Sequence, residues 1–118
     1  SAVGNRLAAG VSCITGSGEA FAALKDTGEV VTWGSAASGG DCSAVGNRLA
    51  IGVSSITGNE YAFAALKNTG EVVSWGHAEL GGDCSYVGNR LATDVVSITG
   101  STGAFAALKD AGEVVTWD

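Results

Sequence analysis

Trp33, Trp75 and Trp117 stand 42 residues apart, and nearly everything around them recurs at the same spacing. Each copy opens on Ser-Ala/Tyr-Val-Gly-Asn-Arg-Leu-Ala, runs through Ser-Ile-Thr-Gly or a close variant, then Phe-Ala-Ala-Leu-Lys, and contains Gly-Glu-Val-Val-Thr/Ser-Trp. Copies begin at Ser1, Ser43 and Ser85, and the first two agree at 32 of 42 positions. A period in the low forties that closes on Trp fits one propeller blade per repeat. Such a unit is too small to bury a core alone, so it must stack on its neighbours. The expected fold is therefore all-β: a partial propeller of three blades, an open arc rather than a closed ring.

Three β segments are expected in each copy. In the first they are Val11 to Thr15, Ala20 to Lys25 and Glu29 to Trp33, rich in β-branched residues or compact and apolar. Asp26-Thr27-Gly28 between the last two predicts a tight hairpin, with Gly at positive φ. Lys25 and Glu29 flank that turn, and a cross-strand ion pair is expected there and at Lys67/Glu71 and Lys109/Glu113. The Ala-rich strand is expected to be the inner one, packed close to the next blade. Phe21, Phe63 and Phe105 should fill the space between blades, with Leu24, Leu66 and Leu108 on the same face through a twist or bulge. A Gly-rich linker follows each of the first two Trp residues and leads to Val-Gly-Asn-Arg-Leu, placed on a short outer strand or turn.

The units are residues 1–42 (outer segment 1–10, blade core 11–33), 43–84 (core 53–75) and 85–118 (core 95–117). The third stops without a counterpart of Ser35 to Cys42. Closed propellers have about four to eight blades, so three predict two raw edges with apolar faces and unpaired strands. A stable free monomer is not expected. The edges call for a protein partner, a longer propeller or a second copy.

Composition narrows the function classes. The formal net charge is −6, and the six basic residues occupy two repeat positions, Arg6/Arg48/Arg90 and Lys25/Lys67/Lys109. No basic patch forms, so nucleic acid is an unsuitable partner. No apolar run approaches a membrane span; a soluble chain is expected, and docking on a membrane complex stays open. No targeting segment is visible, which leaves the compartment undetermined, with an organellar location after processing as one form of the reading. Cys13, Cys42 and Cys84 show no metal or redox spacing, and free thiols are expected.

The run Gly28-Glu29-Val30-Val31-Thr32-Trp33-Gly34, the Gly-Gly-Asp linker, and Gly10-Val11-Ser12 through Phe21-Ala22-Ala23-Leu24-Lys25 together resemble the repeats of the regulator of chromosome condensation family. Gly-Gly-Asp-Cys stands where that family has Gly-Gln-Leu-Gly. The resemblance covers the whole chain three times. It implies propeller blades and a general habit of protein binding, and it does not carry over nucleotide exchange, which uses a complete ring.

No acid, base, nucleophile or metal set is assembled by the sequence, so neither an enzyme nor a cofactor is expected. His77 is the only histidine and lacks a visible partner. Trp33, Trp75, Trp117 and the three Phe residues are assigned to the repeat, with sugar stacking on Trp as the rival use. Residue-specific function should lie where the copies differ, in loops. Tyr61, Leu80 and Tyr86, with His77 and Glu60, are the candidate partner-binding residues. The expected function is a non-enzymatic interaction or scaffold module, such as an accessory subunit or fragment. The alternatives are a self-assembling propeller fragment, natural or engineered, that closes a homo-oligomeric ring, and a lectin-like glycan binder.

Overall fold

The computed structural model describes residues 10–118, and only the backbone of residues 43, 44, 78, 85 and 86. The segment Ser1 to Ala9, with Arg6, lies outside the described residues. Nine strands make three antiparallel sheets of three: β1 Val11–Gly16, β2 Ala20–Lys25 and β3 Val30–Gly34; β4 Val53–Gly58, β5 Ala62–Lys67 and β6 Val72–Gly76; β7 Val95–Gly100, β8 Phe105–Lys109 and β9 Val114–Trp117. The sheets do not close into a ring. They form an open three-bladed arc of a propeller.

Within each sheet the order follows the chain, so the Phe-Ala-Ala-Leu strand is the middle one. This corrects the expectation that it would be the inner strand. The edge that meets the next blade is the Val-Ser-x-Ile-Thr strand. Thr15 Oγ1 donates to the Ile56 carbonyl (3.4 Å) and Thr57 Oγ1 to that of Ile98 (3.2 Å), joining β1 to β4 and β4 to β7. Periodicity identifies a strand but not its rank in a sheet, since small residues suit any close approach.

The Phe and Leu of one strand also part company. Phe21 pairs with Trp33 and Leu24 with Val30 in an unbroken register, which puts them on opposite faces of the sheet. The bulge lies instead in the neighbouring edge strand, between Val11 and Cys13, and recurs at Val53/Ser55 and Val95/Ser97. Ser12 and Ser54 at the bulge donate to the carbonyls of Leu24 (3.0 Å) and Leu66 (2.9 Å), satisfying groups that the interrupted ladder would leave open.

Each core therefore forms between blades. Ala20, Ala22, Leu24 and Val30 of blade 1 meet Phe63, Ala65, Val73 and Trp75 of blade 2. Ala62, Ala64, Leu66 and Val72 of blade 2 meet Phe105, Ala107, Val115 and Trp117 of blade 3. The connectors Ser43–Arg48 and Ser85–Arg90 are 3-10 turns, not strands. They stitch the blades together. Val30 N donates to Leu49 O (2.9 Å) and Val53 N to Gly28 O (3.1 Å), and the same pair recurs at Val72/Leu91 and Val95/Gly70.

The hairpin takes the expected form. Gly28 and Gly70 sit at φ +84° and +86°, and a Cβ there would stand 2.5 Å from Gly52 N and 2.6 Å from Asp94 N. The flanking charges pair differently from expectation in the second and third copies. Glu71 accepts from Arg48 (2.6 Å) and Glu113 from Arg90 (2.7 Å). The arginine arrives from the connector, while the Lys67 stem lies along Gly52. Both pairs are about half exposed, so each contributes only a few tenths of a kcal/mol.

Candidate interaction surface

Repeat symmetry supplies an internal control, because equivalent residues meet different surroundings in different blades. Phe63 and Phe105 are fully enclosed, whereas Phe21 is 47% exposed. Leu24 and Leu66 are buried, whereas Leu108 is 42% exposed; Val30 and Val72 are buried, whereas Val114 is 54% exposed. Ile14 and Val96 are exposed as well. Two apolar faces result. The leading face, on blade 1, carries Phe21 stacked on Trp33 at 5.5 Å, with Ile14 nearby in the register. The trailing face, on blade 3, carries Leu108 and Val114 as a cross-strand pair, with Ala106 beside Thr116. A depression of about 230 Å³ lined by Thr99, Gly100, Ser101, Ala104, Phe105, Ala106 and Thr116 opens on it.

The interior shows what such faces do when covered. Phe63 stacks on Trp75 at 5.4 Å, and both press on the preceding linker. Trp75 Nε1 donates to Gly39 O (3.0 Å), and a Cβ at Gly39, φ +102°, would stand 2.5 Å from the Phe63 ring. The arrangement repeats with Trp117 Nε1 and Gly81 O (3.1 Å). The Gly-Gly of the linker thus lets a ring lie flat on backbone while its indole partner satisfies the carbonyl.

Four of the five candidate binding residues gather at one corner of blade 2, around Asn59. The Asn59 carboxamide oxygen accepts from Tyr61 N (2.8 Å) and Ala62 N (2.7 Å), and its NH2 donates to Leu80 O (2.9 Å). Tyr61 and His77 make an edge contact at 6.2 Å, and His77 N donates to Tyr61 O (2.9 Å). His77 Nδ1 caps the 3-10 turn Ala78–Leu80 by accepting from Glu79 N (3.3 Å). Glu60 is exposed while its carbonyl accepts from Gly18 N (2.8 Å). Tyr86 is the second residue of the turn Ser85–Arg90, and its side chain is not among those described. Asn59, the centre of this corner, lies in a segment where the copies differ, but sequence reasoning did not single it out as an anchor. Its signal was present: Asn59 stands where copy one has Ser17, and Ser17 Oγ makes the equivalent tie to Ser38 O (2.7 Å).

Among the described residues no three His, Cys, Asp or Glu side chains are placed to hold a metal, and no helix is long and apolar enough to cross a membrane. All three cysteines are free, with Cys42 and Cys84 packed against the two cores.

No family model matches the chain, and no curated protein matches it. Solved structures do. Human WBSCR16 superposes with a TM-score of 0.65 at 19% identity, over 97% of this chain and 35% of its own. Prp20p from Saccharomyces cerevisiae, the yeast RCC1, gives 0.64 at 17% over 91% and 30%; it binds Gsp1p and histones and has also been solved bound to Kap60. The ectodomain of the Physcomitrella patens receptor kinase CR4 gives 0.61 at 18% over 91% and 30%. The chain thus spans about a third of the length of these proteins. At such identities the likeness concerns the fold, and that fold is a three-bladed arc of an RCC1-type propeller.

Proposed function

We propose that the chain is a protein-interaction module, and that protein, as further blades or as a partner, covers the apolar side chains exposed on blades 1 and 3. The observation that carries this is the contrast between repeat-equivalent residues: Phe21, Leu108 and Val114 are open where their counterparts are core. Covering such side chains contributes about 1.5–3 kcal/mol each when burial is complete. Two exposed apolar faces on so small a chain are the usual mark of a surface meant to be covered. The likeness to Prp20p, itself a binder of proteins, supports the same class. Tyr61, His77, Glu60 and Leu80 form a secondary candidate patch, and Tyr86 joins the proposal by its position alone. An accessory-subunit role belongs to this reading.

The glycan alternative draws on the Trp faces. Trp75 and Trp117 are 4% and 2% exposed, with both indole N–H groups committed to carbonyls, so only Trp33 has a face to offer. The module reading is favoured for that reason. Light scattering on the purified chain tests it. The wild type should self-associate or precipitate at micromolar concentration. The double variant Phe21→Glu/Val114→Glu should be a folded monomer with an unchanged far-UV spectrum. A wild-type chain that is a well-folded monomer and binds no protein through these side chains would sink the proposal.

A further inference from the structure

We infer that the loop corner of blade 2 docks a basic segment of a protein partner, taking an arginine side chain against Glu60, Glu79 and the Tyr61/His77 ring pair. This rests on the reading of the chain as a protein-interaction module, and gives that module a site and a partner chemistry. The corner belongs to blade 2, which has a blade packed on each side.

Copies one and two agree at 32 of 42 positions, and six of the ten that differ fall here: Asn59, Glu60, Tyr61, His77, Glu79 and Leu80. They come from two loops, one before β5 and one after β6, joined where Ala62 pairs with Gly76. The fold accounts for two of the six. Asn59 ties the loops together, and a Cβ on Gly103 of blade 3 would stand 3.1 Å from Leu80 Cδ2, so Leu80 packs between blades. The other four have no such duty. Blade 1 builds the same corner from Gly18, Glu19, Ser35 and Ala37. Ser35 N donates to Glu19 O (2.9 Å) as His77 N does to Tyr61 O, and Gly40 N to Ser35 O (2.7 Å) as Gly82 N does to His77 O (2.9 Å). The His77 cap is dispensable too, since the turn Ala36–Ser38 forms with no side-chain cap. Charged and aromatic side chains are thus added to a backbone that does not need them, the mark of a binding loop on a rigid scaffold.

Charge selects the partner. Glu60 and Glu79 are exposed, and among the described residues neither has a cationic partner. The described basic residues sit at the opposite end of the blades. Lys25, Lys67 and Lys109 close the strands that run toward the hairpins, and Arg48 and Arg90 bind Glu71 and Glu113 beside them. Along β5, Lys67 lies about 17 Å beyond Ala62, roughly twice the Debye length of about 8 Å in physiological salt. The corner carboxylates are therefore not neutralised from within the blade.

The rings and the adjoining space select arginine. Tyr61 and His77 are half-buried and meet edge to face at 6.2 Å, so part of each ring stays open next to Glu60 and Glu79. A guanidinium is planar and stacks on such rings while its donors reach carboxylates. Asn59 and Glu60 also wall a depression of about 360 Å³, shared with Gly16, Gly18, Gly100 and Thr102 of the neighbouring blades. The strand ends cannot fill it: a Cβ at Gly58 would stand 2.7 Å from Gly16 O, and one at Gly100 3.0 Å from Gly58 O. Its walls offer a carboxylate, hydroxyls and backbone carbonyls, acceptors for the five donors of arginine.

Fluorescence anisotropy with a labelled Gly-Ser-Arg-Gly-Arg-Ser-Gly peptide at low salt tests the inference on the full chain. The wild type should bind it, and the same peptide with citrulline for arginine should bind about tenfold more weakly or worse. Glu60→Gln/Glu79→Gln should weaken arginine-peptide binding about tenfold, and Tyr61→Leu severalfold. If the first variant fails to fold, Glu60→Gly/Glu79→Ala, which borrows the residues of blade 1, takes its place. Asp26→Asn/Asp110→Asn removes the same charge at the hairpin end, using the residue that copy two carries as Asn68, and should leave binding within about twofold. No binding, corner variants that bind like the wild type, or an equal loss in the hairpin-end variant overturns the inference, the last by showing attraction to net charge alone. Any of these removes this site and leaves the module reading to its own test, which turns on the apolar side chains of blades 1 and 3.

Discussion

At the scale of single residues, Asn59 ties together the most backbone groups. It is 7% exposed, and its carboxamide serves three backbone groups at once. Alanine there leaves Leu80 O and two amides without their partner, a loss of about 2–3 kcal/mol for buried groups. Serine, the residue of copy one, keeps the tie to the linker and should lose less than half as much. Urea unfolding in the Phe21→Glu/Val114→Glu background measures both, and an Asn59→Ala loss below about 0.5 kcal/mol would show that water replaces the amide. Ser74 is the opposite case. Its hydroxyl is buried without a hydrogen-bond partner, while Thr32 at the equivalent position donates to Gly40 O (3.1 Å). Nothing in the blade explains that choice of residue.

At the scale of the element, the hairpin and connector act as one unit. Gly70→Ala must accept positive φ, costing about 1 kcal/mol, and must also displace the Asp94 backbone. Gly112→Ala, at φ +92° with open space, meets the first cost only. The first substitution should therefore lower the unfolding midpoint at least twice as far as the second. Equal losses would show that connector and hairpin part easily. Much of this scale was legible in sequence. The strands Val11 to Thr15, Ala20 to Lys25 and Glu29 to Trp33 fall within about a residue of those found, because β-branched runs and an Asx-x-Gly turn are local signals. What was not legible is lateral. Sequence spacing paired Lys67 with Glu71, yet Arg48 reaches Glu71 from 23 residues away. Phe21 and Leu24 looked like one face because both are large, but an unbroken register alternates them. The candidate corner was half legible for the same reason: repeat differences pointed to Tyr61, His77 and Leu80, but only the fold shows Asn59 holding their loops together.

At the scale of the molecule, no sheet owns a core. Stability is then a sum over neighbouring blades, and blade 2, with a neighbour on each side, should be the last to open. Hydrogen exchange on the Phe21→Glu variant should find the slowest amides in Ala62–Lys67, with protection falling toward β1 and β9. A flat profile, with β1 and β9 as protected as β5, would show that blade 2 gains nothing from its two neighbours.

The near-identity of the two interfaces has a consequence for how such a gene can change. An in-frame gain or loss of one whole period joins a trailing face to a leading face that already fits it, so array length can drift by unequal recombination without redesign. A single-codon change in Phe-Ala-Ala-Leu enjoys no such freedom, since within a blade the same strand serves two neighbours, one on each face.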